Sequence, residues 1–140
     1  SWTDYNGHMN EARYLDCFSQ ASDTLLRMIG VTPEYVEAGG SYFTVETHIR
    51  HLDEVTAQEH IHATTQVIHG EGKKLHLFHS LMHEDGRLLA TGEHLFLHVD
   101  MNSRASSLPE PSVAEALAKI AAAHAKLPLP NGSGRAIKST

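Results

Sequence analysis

The sequence predicts a single α+β domain, and three observations predict it. Apolar residues recur every three or four positions between Asn10 and Ile29, the period changes to two after Gly39-Gly40, and glycine-containing turns then punctuate the chain up to Asp100. One long helix followed by an antiparallel meander accounts for all three. At 140 residues the chain has room for one domain with one real core.

The helix is the clearest element. Tyr14, Leu15, Phe18, Ala21, Leu25, Met28 and Ile29 line one side of about five turns. Asn10 suits the N-cap because its side chain accepts from first-turn amides. Glu11 suits the positive end of the dipole, and Gly30 followed by Pro33 supplies the stop.

Beyond Gly40 the alternation puts Phe43, Val45, Thr47 and Ile49 on one face of a strand, and Thr44, Glu46, His48 and Arg50 on the other. A second strand spans 57–68, with Ile61, Ala63 and Val67 on one face, and turns at Gly70-Glu71-Gly72. Lys74 to His83 forms a third, Glu84-Asp85-Gly86 turns it, and Leu88 to Val99 forms a fourth. After Asp100 the composition shifts to Ser, Pro and Glu. Ser112 and Glu115 have the spacing of a capping box, so a final helix follows, with a short alanine-rich stripe of Val113, Leu117, Ile120 and His124 suited to packing on the outside. Pro128, Pro130, Asn131, Gly132, Ser133 and Gly134 read as a loose tail. Residues 1–109 thus carry the main domain, and 110–140 add a helix and tail to it.

Composition excludes several function classes. Seventeen acidic against eleven basic residues give a formal charge of −6, without the basic footprint of a nucleic-acid binder. No apolar run reaches the roughly 18 residues of a membrane helix, and the first residues lack the pattern of a signal peptide, so the expected compartment is the cytoplasm. The single cysteine, Cys17, excludes an intrachain disulfide and reads as a buried packing residue. The expected partner is a small molecule. The chain starts without methionine and enters its most distinctive motif at once, which suggests that some native amino-terminal sequence has been trimmed.

That motif is Asp4-Tyr5-Asn6-Gly7-His8-Met9-Asn10, leading straight into the helix. A helix start offers unpaired amides and a partial positive charge, which together stabilise an anion. A carboxylate a few residues upstream can face a carbonyl whose oxygen those amides bind, which is half of an acyl-transfer site. Spacing alone also fits a loop carboxylate at Asp4, a hinge at Gly7 and a solvated His8.

Asp4-x-x-Gly7-His8-Met9-Asn10, the pair Tyr14-Leu15, the stretch Tyr42-Phe43-Thr44-Val45-Glu46 and the meander after it resemble the hotdog-fold thioesterases of the 4-hydroxybenzoyl-CoA thioesterase type. The resemblance runs from Trp2 to about Pro109. It implies a curved antiparallel sheet wrapped around the long helix, hydrolysis of an acyl-CoA thioester, and a site at a subunit interface of a homodimer or homotetramer. Asp4 is then the catalytic carboxylate, as nucleophile or as general base, and backbone amides at Gly7 and His8 hold the oxyanion. Tyr5, Asn10, Tyr42 and Glu46 are candidate substrate contacts, with Asn10 better suited to capping and Glu46 to a solvent-facing place in its strand. No cofactor is implied beyond the coenzyme A of the substrate.

Two departures stand out: the family has a strand before its aspartate, and many members carry a second asparagine where this chain has Glu11. The stretch through Tyr42 to Glu46 also resembles the branch linked to carnitine and betaine breakdown, whose acyl group carries a quaternary ammonium. Trp2, Tyr5 and Tyr42 are candidates for a cation-binding aromatic surface.

Twelve histidines raise a rival reading, a noncatalytic or metal-binding module of the same fold, with His60-x-His62 and His76-x-x-His79 as candidate ligand pairs. No His-Glu-x-x-His motif supports it, and several histidines fall opposite the apolar stripes, where solvated or interface histidines are expected. Gly70-Glu71-Gly72-Lys73-Lys74 joins two strands and opens no helix, so it is a hairpin turn and not a phosphate loop. Lys73, Lys74, Arg50 and Arg104 are candidate contacts for the coenzyme A phosphates.

Overall fold

The computed structural model describes residues 7–56 and 59–134. Helix α1 (Glu11–Met28) starts where the sequence places it, with Asn10 Oδ1 accepting from the Ala12 amide at 3.0 Å. It ends in a paired-bond cap: Gly30 lies at φ +101° and donates to Arg27, while the Val31 amide reaches back to Leu26. Only glycine takes that φ without strain, so Gly30 fixes where α1 stops. Pro33 does more than follow the stop. It opens a short helix, α2 (Pro33–Glu37), capped by Thr32, because a proline lacks the amide that the first helical position would leave unbonded.

Strands β1 (Gly40–His51), β2 (Ile61–Glu71), β3 (Lys74–His83) and β4 (Leu88–Asp100) form an antiparallel sheet in the order β1-β4-β3-β2, and β5 (Ala105–Ser106) adds two residues to β4. Bulges interrupt β1, β2 and the β3–β4 pairing, the device by which a sheet coils around a helix. The first bulge overturns part of the predicted alternation. Val45 is the extra residue between Thr44 and Glu46, so parity flips there: Tyr42 is buried while Phe43 and Val45 are 50% and 56% exposed.

Helix α1 lies across one face of the sheet. Phe18 is fully buried over Gly92 of β4, where a methyl group would sit 2.5 Å from the ring. Met9, Tyr14, Phe18, Val55, Leu81 and Leu89 pack around the first half of α1, and Leu25, Ile29, Val31, Tyr42, Leu75 and Leu77 around the second.

The C-terminal region differs from expectation in three ways. Helix α3 (Pro111–His124) has Glu110 and not Ser112 at its N-cap position, without a side-chain cap bond, because Pro111 takes the first helical position and moves the start two residues earlier. It does not pack on the outside: Val113 and Leu117 are buried core residues. Leu117 rests on Gly70, and His124 Nδ1 accepts the Val67 amide at 2.8 Å, so α3 covers part of the β2 edge. The segment after it is not loose over its described length. It crosses the sheet face away from α1, where Gln66 donates to the Pro128 carbonyl, Arg50 to that of Asn131, and the Gly134 amide donates to Glu93.

Three histidines of β3 and β4 belong to the interior. His79, His94 and His98 are 0%, 3% and 2% exposed on the face that meets α1. Hydroxyls make this tolerable, since a buried polar group must be hydrogen-bonded. Both nitrogens of His79 are met, by Ser22 Oγ at 2.7 Å and Thr65 Oγ1 at 2.8 Å. His98 Nδ1 meets the Ser107 carbonyl, which can only accept, so its Nε2 is the acceptor for the Tyr35 hydroxyl at 2.9 Å. Burial, followed by the neighbouring His94, pushes the His79 pKa down to about 3.

Two outcomes follow. Gly92→Ala should destabilise the fold by about 1–3 kcal/mol, because the added methyl drives into the Phe18 ring, and chemical denaturation measures this. His79 stays neutral in the fold while the unfolded chain protonates near pH 6.5. Stability is therefore full above that pH and is lost as pH falls from 6.5 toward 3, at up to ~1.4 kcal/mol per pH unit. Melting temperatures across that window should fall less steeply for His79→Gln than for the wild type.

Candidate active site

The start of α1 is held by backbone bonds on both sides. Gly7 takes φ +78°, a left-handed turn that suits glycine, and His8 then forms an isolated antiparallel bridge with Thr56. The Met9 amide donates to the Val55 carbonyl at 2.8 Å, and Met9 and Val55 share a buried cluster with Tyr14. Asn10 then caps: its side chain takes the Ala12 amide and its carbonyl takes that of Arg13 at 2.9 Å. His8 is partly exposed and its Nε2 lies 3.4 Å from Glu54. These bonds engage the amides of Met9, Ala12 and Arg13, and they hold Gly7 and His8 against the positive end of α1.

Of the sequence candidates, Gly7, His8 and Asn10 are brought together here. Asp4 and Tyr5, like Trp2, lie outside the described residues. Tyr42 is at the opposite end of α1, edge-on to His98 at 4.9 Å and packed among the residues around Leu25 and Ile29. Burial first, and Tyr35 second, push its hydroxyl pKa up to about 12. Its ring is therefore a core element of the chain that bears it. Glu46 follows the β1 bulge and is exposed, with Thr47 and not Glu46 turned toward α1.

A second feature beside α1 escaped the sequence reading. Leu15, Ser19 and Asp23 succeed one another at four-residue intervals from Glu11, so they form one row down the helix. Facing that row, Thr44, Thr47 and His94 close a slot of about 260 Å³. The Thr47 hydroxyl meets His94 Nδ1 at 3.2 Å, while the buried Nε2 has no hydrogen-bond partner among the described residues. Burial lowers the His94 pKa, which keeps the ring neutral. The signal was present in β4, where Ala90, Gly92, His94, Phe96 and His98 share one face and Phe96 is a core residue.

The metal candidates do not converge. His76 points to Glu93 on the face away from α1, His79 lies under the helix, and among the described residues no three His, Cys, Asp or Glu side chains are grouped to hold an ion. Cys17 is half-buried, beside Ile61, and its thiol pKa is raised by burial and then by Asp16. Among the basic candidates, Arg50 holds the Asn131 carbonyl and Lys73 the Ser106 hydroxyl. None of the helices among the described residues is long and apolar enough to cross a membrane.

Known proteins agree with this architecture. The profile of the Thioesterase-like superfamily matches residues 1–117. An L-carnitine dehydrogenase/betainyl-CoA thioesterase of Ruegeria pomeroyi is 52% identical over 137 residues, covering 98% of this chain but only 28% of that protein. A betainyl-CoA thioesterase of Pseudomonas aeruginosa is 38% identical over 138 residues, covering 97% of this chain and 87% of that protein. Among solved structures, a Staphylococcus aureus protein in complex with CoA aligns with a TM-score of 0.91 at 25% identity, over 98% of this chain and 87% of its own. A proposed thioesterase of Pseudomonas putida KT2440 aligns at 0.83 and 32%, over 98% and 88%. The helix wrapped by a curved antiparallel sheet is the hotdog fold, and the chain belongs to the Thioesterase-like superfamily.

Proposed function

We propose that this chain hydrolyses an acyl-CoA thioester and that the bond is opened at the start of α1. The observation that carries the reading is the Gly7–Asn10 segment, fixed by the Met9–Val55 bond and the Asn10 cap at the positive end of a buried helix, in a chain of this superfamily. The relatives named for betainyl-CoA support a short acyl group bearing a quaternary ammonium as the substrate.

The chemistry needs little from the protein. A thiolate is a good leaving group, since free thiols titrate near about pH 8.5, and it departs without a strong general acid. The amides of Gly7 and His8 receive the negative charge that grows on the carbonyl oxygen. In one route the Asp4 carboxylate attacks the carbonyl carbon, the C–S bond breaks to release CoA thiolate, and water then cleaves the mixed anhydride. In the other, Asp4 takes a proton from the water that attacks directly. Both routes require Asp4 ionised.

The reading includes a second copy of the chain. Among the described residues β1 has β4 on one side and no strand on the other, and it carries the exposed Phe43 and Val45. An open edge with apolar side chains favours pairing, and two-fold dimers are the commonest soluble homo-oligomers.

Asp4→Asn removes the charge and keeps the shape, so it should lower the rate of thiol release by orders of magnitude while leaving melting temperature and acyl-CoA binding close to wild type. Near-wild-type turnover would remove Asp4 from the chemistry. Sedimentation at micromolar concentration should give a mass at least twice 15.4 kDa, and a fully active monomer would refute the paired arrangement.

A further inference from the structure

Strand β1 ends at His51, and the segment after it, which carries Val55 and Thr56, lies outside the five strands of the sheet. Those two residues nevertheless hold the start of α1, through the Met9–Val55 bond and the His8–Thr56 bridge. The segment is itself held by a clamp. On its near side the Leu52 and Asp53 amides both donate to the Leu89 carbonyl. Asp53 Oδ1 accepts the Glu54 amide at 2.8 Å, and its Oδ2 accepts Arg87 at 3.1 Å. On the far side Glu59 Oε2 accepts the Thr56 amide, while its Oε1 meets His83 Nε2 at 3.2 Å and lies 3.9 Å from Arg87. Arg87 is in turn set by Asp85, which accepts both its amide and its Nε at 2.9 Å. One guanidinium thus joins the β3–β4 turn to carboxylates on both sides of Val55 and Thr56.

We propose that Arg87 is a positioning residue for the oxyanion amides: through Asp53 and Glu59 it fixes the 53–59 segment, and through Val55 and Thr56 that segment fixes Gly7 and His8. The proposal rests on the hydrolytic reading above. The two backbone amides that the clamp takes, those of Glu54 and Thr56, flank Val55, so a shift of either carboxylate passes directly to the carbonyl that holds Met9. Amide bonds first, and the Arg87 guanidinium next, hold the Asp53 and Asp85 carboxyls below the usual range, and the Thr56 amide does so for Glu59. The clamp therefore stays charged near neutral pH. A single surface ion pair contributes little to stability, but a planar guanidinium shared by three carboxylates restricts their geometry. Its removal costs alignment more than folding. Oxyanion donors act on charge that grows only in the transition state, so misalignment lowers kcat and spares KM.

Arg87→Gln removes the charge from an exposed side chain and tests this with two readouts. With betainyl-CoA as the probe substrate, kcat should fall about tenfold with KM within about twofold, short of the roughly hundredfold that loss of an oxyanion donor costs. Independently of any activity, hydrogen exchange at the Met9 amide should quicken about tenfold, while that at Leu77 in the core of β3 stays as in the wild type. Asp53→Asn keeps the acceptor for the Glu54 amide and should move both readouts in the same direction. Combined with Arg87→Gln it should add little, since the two act through one contact. Arg27→Gln, on an exposed part of the last turn of α1, should leave both readouts unchanged. Folded Arg87→Gln and Asp53→Asn proteins in which either readout keeps its wild-type value would overturn the positioning role and leave the hydrolytic reading intact. A wild type that releases no thiol from betainyl-CoA or acetyl-CoA would overturn the hydrolytic reading, and the role of Arg87 with it.

Discussion

The contact between the Phe18 ring and the bare backbone of Gly92 sets how closely α1 approaches the sheet, and the arrangement beside the helix depends on that distance. Phe18 is flanked by His79, stacked at 5.9 Å, and by His94 at 6.4 Å. A side chain at residue 92 would lift the helix. The Ser22–His79 bond would then stretch and the slot in front of His94 would change depth. Close approach also explains why histidines are tolerated inside: Ser22 and Thr65 come near enough to satisfy both nitrogens of His79, which apolar neighbours could not do.

From that fixed axis, the chain builds its two ends differently. The second half of α1 is buried under Leu75, Leu77, Tyr42 and the incoming Val113 and Leu117 of α3, and it terminates in the Gly30 cap. It is scaffold. The first half packs on Met9, Val55 and Leu81, yet its first turn is approached by a glycine turn and a partly exposed histidine, so the positive end of the helix faces a surface that a ligand can reach. Under the proposed reading, stability is concentrated at one end and reactivity at the other, as a hydrolytic site held on a rigid helix requires.

Much of this was legible in the sequence because it is local. The cap at Asn10, the stop at Gly30, the hairpin turns and the strands at Lys74–His83 and Leu88–Asp100 follow from side-chain period and backbone freedom alone. What was not legible depends on pairing. A bulge at Val45 cannot be read from one strand, since it is defined by two residues opposing one, and it parts Phe43 from the face that Thr47 shares. The burial of His79, His94 and His98 was not legible because it depends on the hydroxyls that meet them from α1, β1, β2 and the α2 region. The path of residues 128–134 over the far face follows from partners at Gln66, Arg50 and Glu93, all distant in sequence. Gly7, His8 and Asn10 are neighbours in sequence and in space, whereas Tyr42 packs around Leu25 and Ile29 and Glu46 is exposed after the β1 bulge, placements that only the pairing of β1 reveals.

The central claim is a place: the acyl carbon is attacked at the start of α1. A crystal structure with a thioether analogue of betainyl-CoA, in which a methylene precludes hydrolysis, tests it most directly. The account predicts the ketone oxygen within hydrogen-bond distance of the Gly7 or His8 amide and the Asp4 carboxylate facing the carbonyl carbon. A bound analogue whose carbonyl lies away from those amides, at the far end of α1 or on the face crossed by residues 128–134, would contradict it.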